Sequence, residues 1–280
     1  MVVEKRFISN DGTQRFLLRL QDGDFIESVL IPRHDRTTIC ISSQVGCGLG
    51  CAFCLTGQLG FTRDLTADEI VSQVLLMLTD AASRFSVVFM GMGEPLQNYD
   101  SVMRAIRFMH DDHGFRLPMS RITVSTAGLV PGIERLAGEA IFPNLSVSLT
   151  GVTNRSRAVL MPINRKYPIE AVIDSVRKLP PPRQKRVMFE CVMIKDLTDS
   201  IDDAETLSRL LRGMRVKVNL IPLNTAEEIP FQRSDRETIL RFQESLVRNG
   251  TATFIRQNRG ADVSSACGQL KNRIRVGSAL

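Results

Sequence analysis

The stretch TTICISSQVGCGLGCAFC, Thr37–Cys54, decides how the rest of the chain is understood. Its first part, TTICISS (37–43), is a strand by its β-branched content and short apolar run. Its second part is a loop of glycine and cysteine, with Cys47, Cys51 and Cys54 in the spacing C-x3-C-x2-C. A strand that runs straight into such a loop places soft sulfur ligands at the strand's carboxyl end. In a parallel α/β sheet, that end carries the active site.

On the amino-terminal side, RFLLRL (15–20) and FIESVLI (25–31) flank QDGD, and the Asp-Gly pair predicts a hairpin turn. On the carboxyl side the chain alternates. Leu65–Ala82 is a predicted helix with a Thr66/Glu69 capping box and an apolar face of Ile70, Val71, Val74, Leu75 and Leu78. Strands follow at 86–90, 121–125, 144–149, 186–194, 215–221 and 251–256. Helices separate them at 101–109, 131–138, 169–178, 201–211 and 235–248. This alternation implies βαβ units and a parallel sheet. The expected class is α/β, a partial (β/α)6 barrel with a short N-terminal β-hairpin extension. A doubly wound open sheet is the alternative that periodicity leaves open. The expected organisation is a hairpin extension over 1–32, a core over 33–262 and a basic tail over 263–280. The chemically unusual segments all follow strands: the cysteine loop, GMGEP (91–95), STAG (125–128), SLT (148–150) and IPLN (221–224).

With 280 residues, 43% of them apolar, the chain can bury a sizeable core. No apolar run is long enough for a membrane span, and MVVEKRFISNDG lacks the apolar segment of a signal peptide, so a cytoplasmic protein is expected. Clustered cysteines in such a chain point to metal or catalysis rather than to a disulfide framework. A structural zinc site needs four ligands, but only three cysteines are local and the chain has three histidines in all. A cubane iron–sulfur cluster held by three cysteines leaves one iron open to a small ligand. Gly46, Gly48 and Gly50 let the loop wrap it, and Phe53 shields it. A net charge of +6 is compatible with RNA binding. Basic residues gather at Arg183, Lys185 and Arg186, and at Arg256, Arg259, Lys271, Arg273 and Arg275; a solvated charged face is the plainer interpretation of both clusters.

The spacing C-x3-C-x-Φ-C, with Phe53 at the aromatic position Φ, resembles the signature of the radical S-adenosylmethionine (SAM) superfamily, and GMGEP resembles its SAM-binding loop. More closely, Glu27-Ser-Val-Leu-Ile-Pro, CISSQVGC (40–47), GMGEPLQN, TVSTAG, MPIN, NLIPLN and RGADVSSACGQL are similar, in order, to the RlmN/Cfr family of RNA methyltransferases.

The resemblance implies a radical SAM partial barrel with a [4Fe-4S] cluster on Cys47, Cys51 and Cys54. It implies SAM contacts from Gly93, Glu94, Ser125, Ser148, Leu149, Thr150 and Asn224, which without the family are ordinary strand-end and turn residues. It also implies two SAM per turnover. Cys267 would be the methyl-carrying cysteine, Cys40 the residue that resolves an RNA–cysteine adduct by a disulfide with Cys267, and Glu27 the proton acceptor. Cys191 matches no family role and is expected in the core. The implied partners are RNA (rRNA or tRNA) and an electron donor such as flavodoxin, with no membrane. The implied activity is methylation of adenosine, at C2; C8 methylation and a radical SAM reaction on a non-RNA substrate are the alternatives. A non-enzymatic metalloprotein that binds RNA would give no reductive SAM cleavage. There are two departures from the family. Thr150 stands where the family usually has histidine, and the 26 residues before Glu27 hold no counterpart of its helical accessory domain, so a short form is expected.

Overall fold

A computed structural model of the chain describes residues 1–82 and 84–271. It divides into two units. The first comprises Met1–Gly50, Cys54–Thr123 and the segment from Arg259, and the second comprises Cys51–Phe53 and Val124–Asn258.

The first unit begins with four strands in antiparallel succession: β1 (Val2–Ile8), β2 (Gln14–Arg19), β3 (Phe25–Arg33) and β4 (Arg36–Cys40). The expected hairpin is β2–β3. Its Asp-Gly turn closes with a Leu20 N–H to Asp24 carbonyl bond of 2.8 Å, and Gly23 takes φ 93°. The registers Leu17↔Glu27 and Val29↔Cys40 bring Glu27 and Cys40 into one three-stranded stretch. β1 adds a further strand beyond the expected pair. Most of its residues are exposed, so it has no alternating apolar pattern to reveal it.

Next come β5 (Gln44–Cys47), the one-turn α1 (Leu55–Gln58) and β6 (Gly60–Asp64), which pairs antiparallel with β5. This ribbon frames the cysteine loop. A Cβ at Gly46, where φ is 75°, would overlap the Gly60 carbonyl, so the close approach of the two strands requires glycine. α2 (Ala67–Leu78) starts at the predicted capping box. Glu69 N–H donates to the Thr66 hydroxyl (3.2 Å) and Thr66 N–H to the Glu69 carboxylate (2.9 Å). Its buried face is Ile70, Gln73, Val74 and Met77; Leu75, expected on that face, is exposed. β7 (Phe85–Phe89) lies parallel to β4, and α3 (Tyr99–His110) buries Val102, Met103, Ile106 and Met109.

The second unit continues the alternation. From Val124 within β8 (Ile122–Thr126) it runs through α4 (Val130–Ala137), β9 (Asn144–Ser148), α5 (Asn154–Leu160), α6 (Ile169–Arg177), α7 (Pro181–Gln184), β10 (Val187–Met193), α8 (Ile201–Leu210), β11 (Lys217–Pro222), α9 (Arg236–Arg248) and β12 (Ala252–Ile255). β9, β10, β11 and β12 pair parallel in that order. α9 shows why these helices form: Ile239, Phe242 and Leu246 recur at helical spacing and are buried. Fully burying one such side chain stabilises by roughly 1.5–3 kcal/mol. Both units thus have the strand–helix alternation expected of an α/β protein. No helix among the described residues is long and apolar enough to cross a membrane.

Candidate active site

Cys47 ends β5, and Cys54 immediately precedes α1. Burial pushes the Cys47 thiol up to about 12, opposed by the Leu49 N–H and reinforced by the negative groups of Cys54 and Glu94. Burial also pushes Cys54 up, opposed by the N–H groups of Gly57 and Thr56, and Cys267 adds to the rise. These thiols therefore stay protonated on their own. A coordinating metal deprotonates them outright, so the donor set suits a soft metal group and not a solvated thiolate nucleophile. Among the described residues, no three His, Cys, Asp or Glu side chains, the cysteine triplet included, gather as ligands of a single ion would.

GMGEP follows β7. Its turn is clamped from β5: Gln44 Oε1 accepts the Glu94 N–H at 2.8 Å. Gly93 has φ 100°, and a Cβ there would lie 2.5 Å from Gln44 Cβ. Glu94 is 2% exposed, and one carboxylate oxygen accepts the Leu96 N–H at 3.0 Å. Asn98 donates to the carbonyls of Ser43 (2.8 Å) and Leu65 (2.7 Å) and fixes the loop from behind. Sequence reasoning missed Gln44 and Asn98; their only signal was an amide beside each glycine-rich motif.

Glu27, on β3, is 1% exposed. One carboxylate oxygen pairs with the Arg15 guanidinium, and the other accepts the Lys271 N–H at 2.8 Å. Arg15 is itself held, with Nε donating to the Val263 carbonyl at 2.7 Å and its guanidinium over the Phe7 ring. The tail is thereby tied to the β2–β3 hairpin. It is tied equally to the cysteine loop: Leu55 N–H donates to the Gly268 carbonyl (2.8 Å) and the Thr56 hydroxyl to the Leu270 carbonyl (2.8 Å). Cys267 thus lies in a segment fastened to the residues next to Cys54. Two further ties hold the segment's start, Ser9 Oγ to Asp262 (2.6 Å) and Gly260 N–H to Asp11 (3.1 Å). Cys40 closes β4 and is buried. No disulfide joins any two of the six cysteines in this structure, Cys40 and Cys267 included.

In the second unit, Ser125, Ser148, Leu149, Thr150 and Asn224 stand at or just past the carboxyl ends of β8, β9 and β11. Leu149 and Thr150 donate their N–H groups to the Glu190 carbonyl at 2.9 and 3.2 Å. Thr150 takes a left-handed φ of 56°, is 1% exposed, and its hydroxyl has no partner. A buried hydroxyl without a partner costs stability, and this one stands where the sequence predicts a SAM contact. The Glu190 carboxyl was not anticipated. Burial raises it, while Arg256 and hydrogen bonds from Ser146 (2.7 Å) and Asn219 (2.7 Å) draw it down. Cys191 is buried and pushed up to about 12 by that burial, followed by the negative groups of Glu190 and Asp203; it sits in the core as expected.

The basic clusters divide. Arg183 donates to the carbonyls of Ala137 and Glu139 and Arg186 to that of Phe142, so the two staple the end of α4 and the segment after it. Arg259 faces Asp11 at 3.9 Å. Arg273 and Arg275 lie outside the described residues.

Comparison with known proteins places these features in context. The model of the radical SAM superfamily matches residues 41–210. A Geobacter sulfurreducens protein named dual-specificity RNA methyltransferase RlmN is 48% identical over 267 residues, which cover 95% of this chain and 74% of the relative. A Syntrophobacter fumaroxidans protein of the same name is 47% identical, covering 96% and 79%. A crystal structure of a radical SAM methyltransferase from Sphaerobacter thermophilus superposes with a TM-score of 0.93 at 44% identity, covering 96% of this chain and 81% of that one.

Proposed function

The chain belongs to the radical SAM superfamily and, within it, to the RlmN family of RNA methyltransferases; from that premise we propose that it methylates an adenosine of rRNA or tRNA at C2, through a methyl-carrying cysteine. The observation that carries this is the double fastening of the Cys267 segment, to Leu55 and Thr56 on one side and to Glu27 on the other.

Cys47, Cys51 and Cys54 would hold a [4Fe-4S] cluster. SAM, two molecules per turnover, would supply the one-carbon unit, and the cluster the electron for the radical chemistry that lets it react with a carbon that is no nucleophile. Gly93 leaves room for the backbone to approach SAM, Glu94 accepts from its ammonium, and Ser125, Ser148, Leu149, Thr150 and Asn224 complete the contacts. The Thr150 hydroxyl donates where the family's histidine would, with a shorter reach.

Cys267 carries the carbon as a methyl thioether; that methyl gives up one hydrogen atom to the radical chemistry, its carbon bonds to adenine C2, and one electron returns to the cluster as the C2 proton leaves. Glu27 takes the C2 proton; its pairing with Arg15 holds the carboxylate in place. Cys40 then attacks the Cys267 sulfur. The new S–S bond forms as the S–C bond breaks; the electron pair of that bond stays with the carbon, which takes up a proton to become the methyl group on the base. An external electron donor, flavodoxin or its equivalent, serves the cluster, and thiol reduction restores the two cysteines. The target base must leave its stack to enter, and the basic residues around Arg256, Arg259 and Lys271 grip phosphate. A cytoplasmic setting suits both the RNA and the thiols.

The test is mass spectrometry of nucleosides from RNA treated anaerobically with protein, SAM and reductant. 2-Methyladenosine is expected; 8-methyladenosine, or no methyl on adenine, would overturn the proposal.

A further inference from the structure

Among the described residues, the largest side chain that is wholly buried is Arg157, on α5. Its guanidinium donates to Asn164 Oδ1 (3.0 Å), the Tyr167 carbonyl (3.3 Å) and the Ala127 carbonyl (2.5 Å). All three acceptors are neutral, and Nε has none. Removing an ion from water costs several kcal/mol unless a counter-charge compensates, yet among the described residues no carboxylate acts on this one. The one charge-bearing group that does is the thiol of Cys51. Burial lowers Arg157 to about 10, so it remains a cation at neutral pH.

The placement is built in. The Thr153 capping box starts α5, and the carbonyl of its last residue, Leu160, accepts the N–H of Ala52, next to Cys51, at 2.9 Å. A Cβ at Gly128, with φ 95°, would lie 3.0 Å from the guanidinium, and one at Gly151 would lie 2.5 Å from the Arg157 backbone nitrogen. Two glycines and an asparagine thus make room for a lone cation on the helix turn that ties down Ala52, the chain neighbour of Cys51.

We propose that Arg157 is a charge-compensating residue whose fixed positive charge makes the iron–sulfur group on Cys51 easier to reduce. This rests on Cys51 being a cluster ligand. Three thiolates make an occupied cluster an anion, and the electron it accepts deepens that charge. A buried cation therefore favours the reduced form more than the oxidised one. Were Arg157 only a staple for the carbonyls of 127 and 167, its charge would leave the potential where it is.

The experiment uses the whole chain, reconstituted anaerobically with iron and sulfide: wild type, Arg157→Met, Arg157→Lys and Asn164→Asp. Asn164→Asp keeps the size and the hydrogen bond from Arg157, gives up the Nδ2 donation to the Asn154 carbonyl (3.2 Å), and puts a carboxylate against the guanidinium. It therefore tests the charge even if Arg157→Met fails to fold. Iron and sulfide content are measured first, then the midpoint by a redox titration followed by electron paramagnetic resonance. In Arg157→Met and Asn164→Asp the reduced-to-oxidised ratio at fixed potential should fall about tenfold, which is about 59 mV for one electron. Arg157→Lys should recover part of it. Loaded clusters with unshifted midpoints in Asn164→Asp, or in Arg157→Met where it folds, would overturn the proposal. A wild-type chain that binds no iron would instead sink the ligand assignment beneath it.

Discussion

At the scale of single residues, two buried polar groups are set for opposite purposes. Glu27 is satisfied: Arg15 and the Lys271 N–H take its two oxygens. Removing Arg15 strands a buried carboxylate, so Arg15→Ala should lower unfolding stability by about 3–5 kcal/mol, read by urea denaturation; a loss near zero would show that the ion pair does not hold the tail. Thr150 is unsatisfied. Thr150→Ala should leave the ligand-free protein as stable or more so while weakening SAM binding by about tenfold, the worth of roughly one hydrogen bond. Calorimetry reads both, and an unchanged affinity would remove Thr150 from the site. The relay cysteines make a sharper pair. Cys267→Ala should abolish methyl transfer. Cys40→Ala should leave RNA covalently joined to the protein, visible as a shifted band that nuclease removes, because the thiol that breaks the S–C bond is gone.

At the scale of elements, the strand–helix alternation was legible because its apolar periods are long and clean, as in α9 with Ile239, Phe242 and Leu246. The capping box at Thr66 fixed the start of α2 to within two residues. The short ribbon β5–β6 and helix α5 were not legible. β6 spans five largely exposed residues, and NRSRAVL has a charged pattern with no apolar period. The same pattern hid Arg157, which looks like a solvated helix residue until the fold buries it. Motif loops were found by their glycines, but their clamps were not. Gly93 shows the difference: its need is explained only by Gln44 across the turn. Gly93→Ala combines a positive φ with a 2.5 Å overlap, so SAM binding should be lost while helix content stays unchanged by circular dichroism; retained binding would mean the turn adapts.

At the scale of the whole molecule, the tail is what local sequence cannot place. Thr56 and Leu270 are 214 residues apart, and only the folded chain brings them into a hydrogen bond. The family resemblance named Cys267; the ties through Gly260, Asp262, Gly268 and Lys271 give a physical reason for the whole RGADVSSACGQL segment. One tie has a pH signature. Burial opposes ionisation of Asp11, but hydrogen bonds from Thr13, Gly260 and Ser9 outweigh it and hold the carboxyl at about 2 against an ordinary 3.8. A lowered folded value stabilises above the ordinary one and is lost as pH falls through the folded one. The contribution is therefore present above about pH 4 and gone near pH 2. Asp11→Asn should flatten the stability profile in that window, and an unaltered profile would count against the tie.

The most direct measurement is peptide mass spectrometry of residues 260–271 after anaerobic incubation of the reconstituted protein with SAM and reductant. A single added methyl on Cys267, transferred to adenosine when RNA is supplied, is the expected result. RNA methylated while Cys267 stays bare, or methylated equally well by Cys267→Ala, would contradict a relay through the tail.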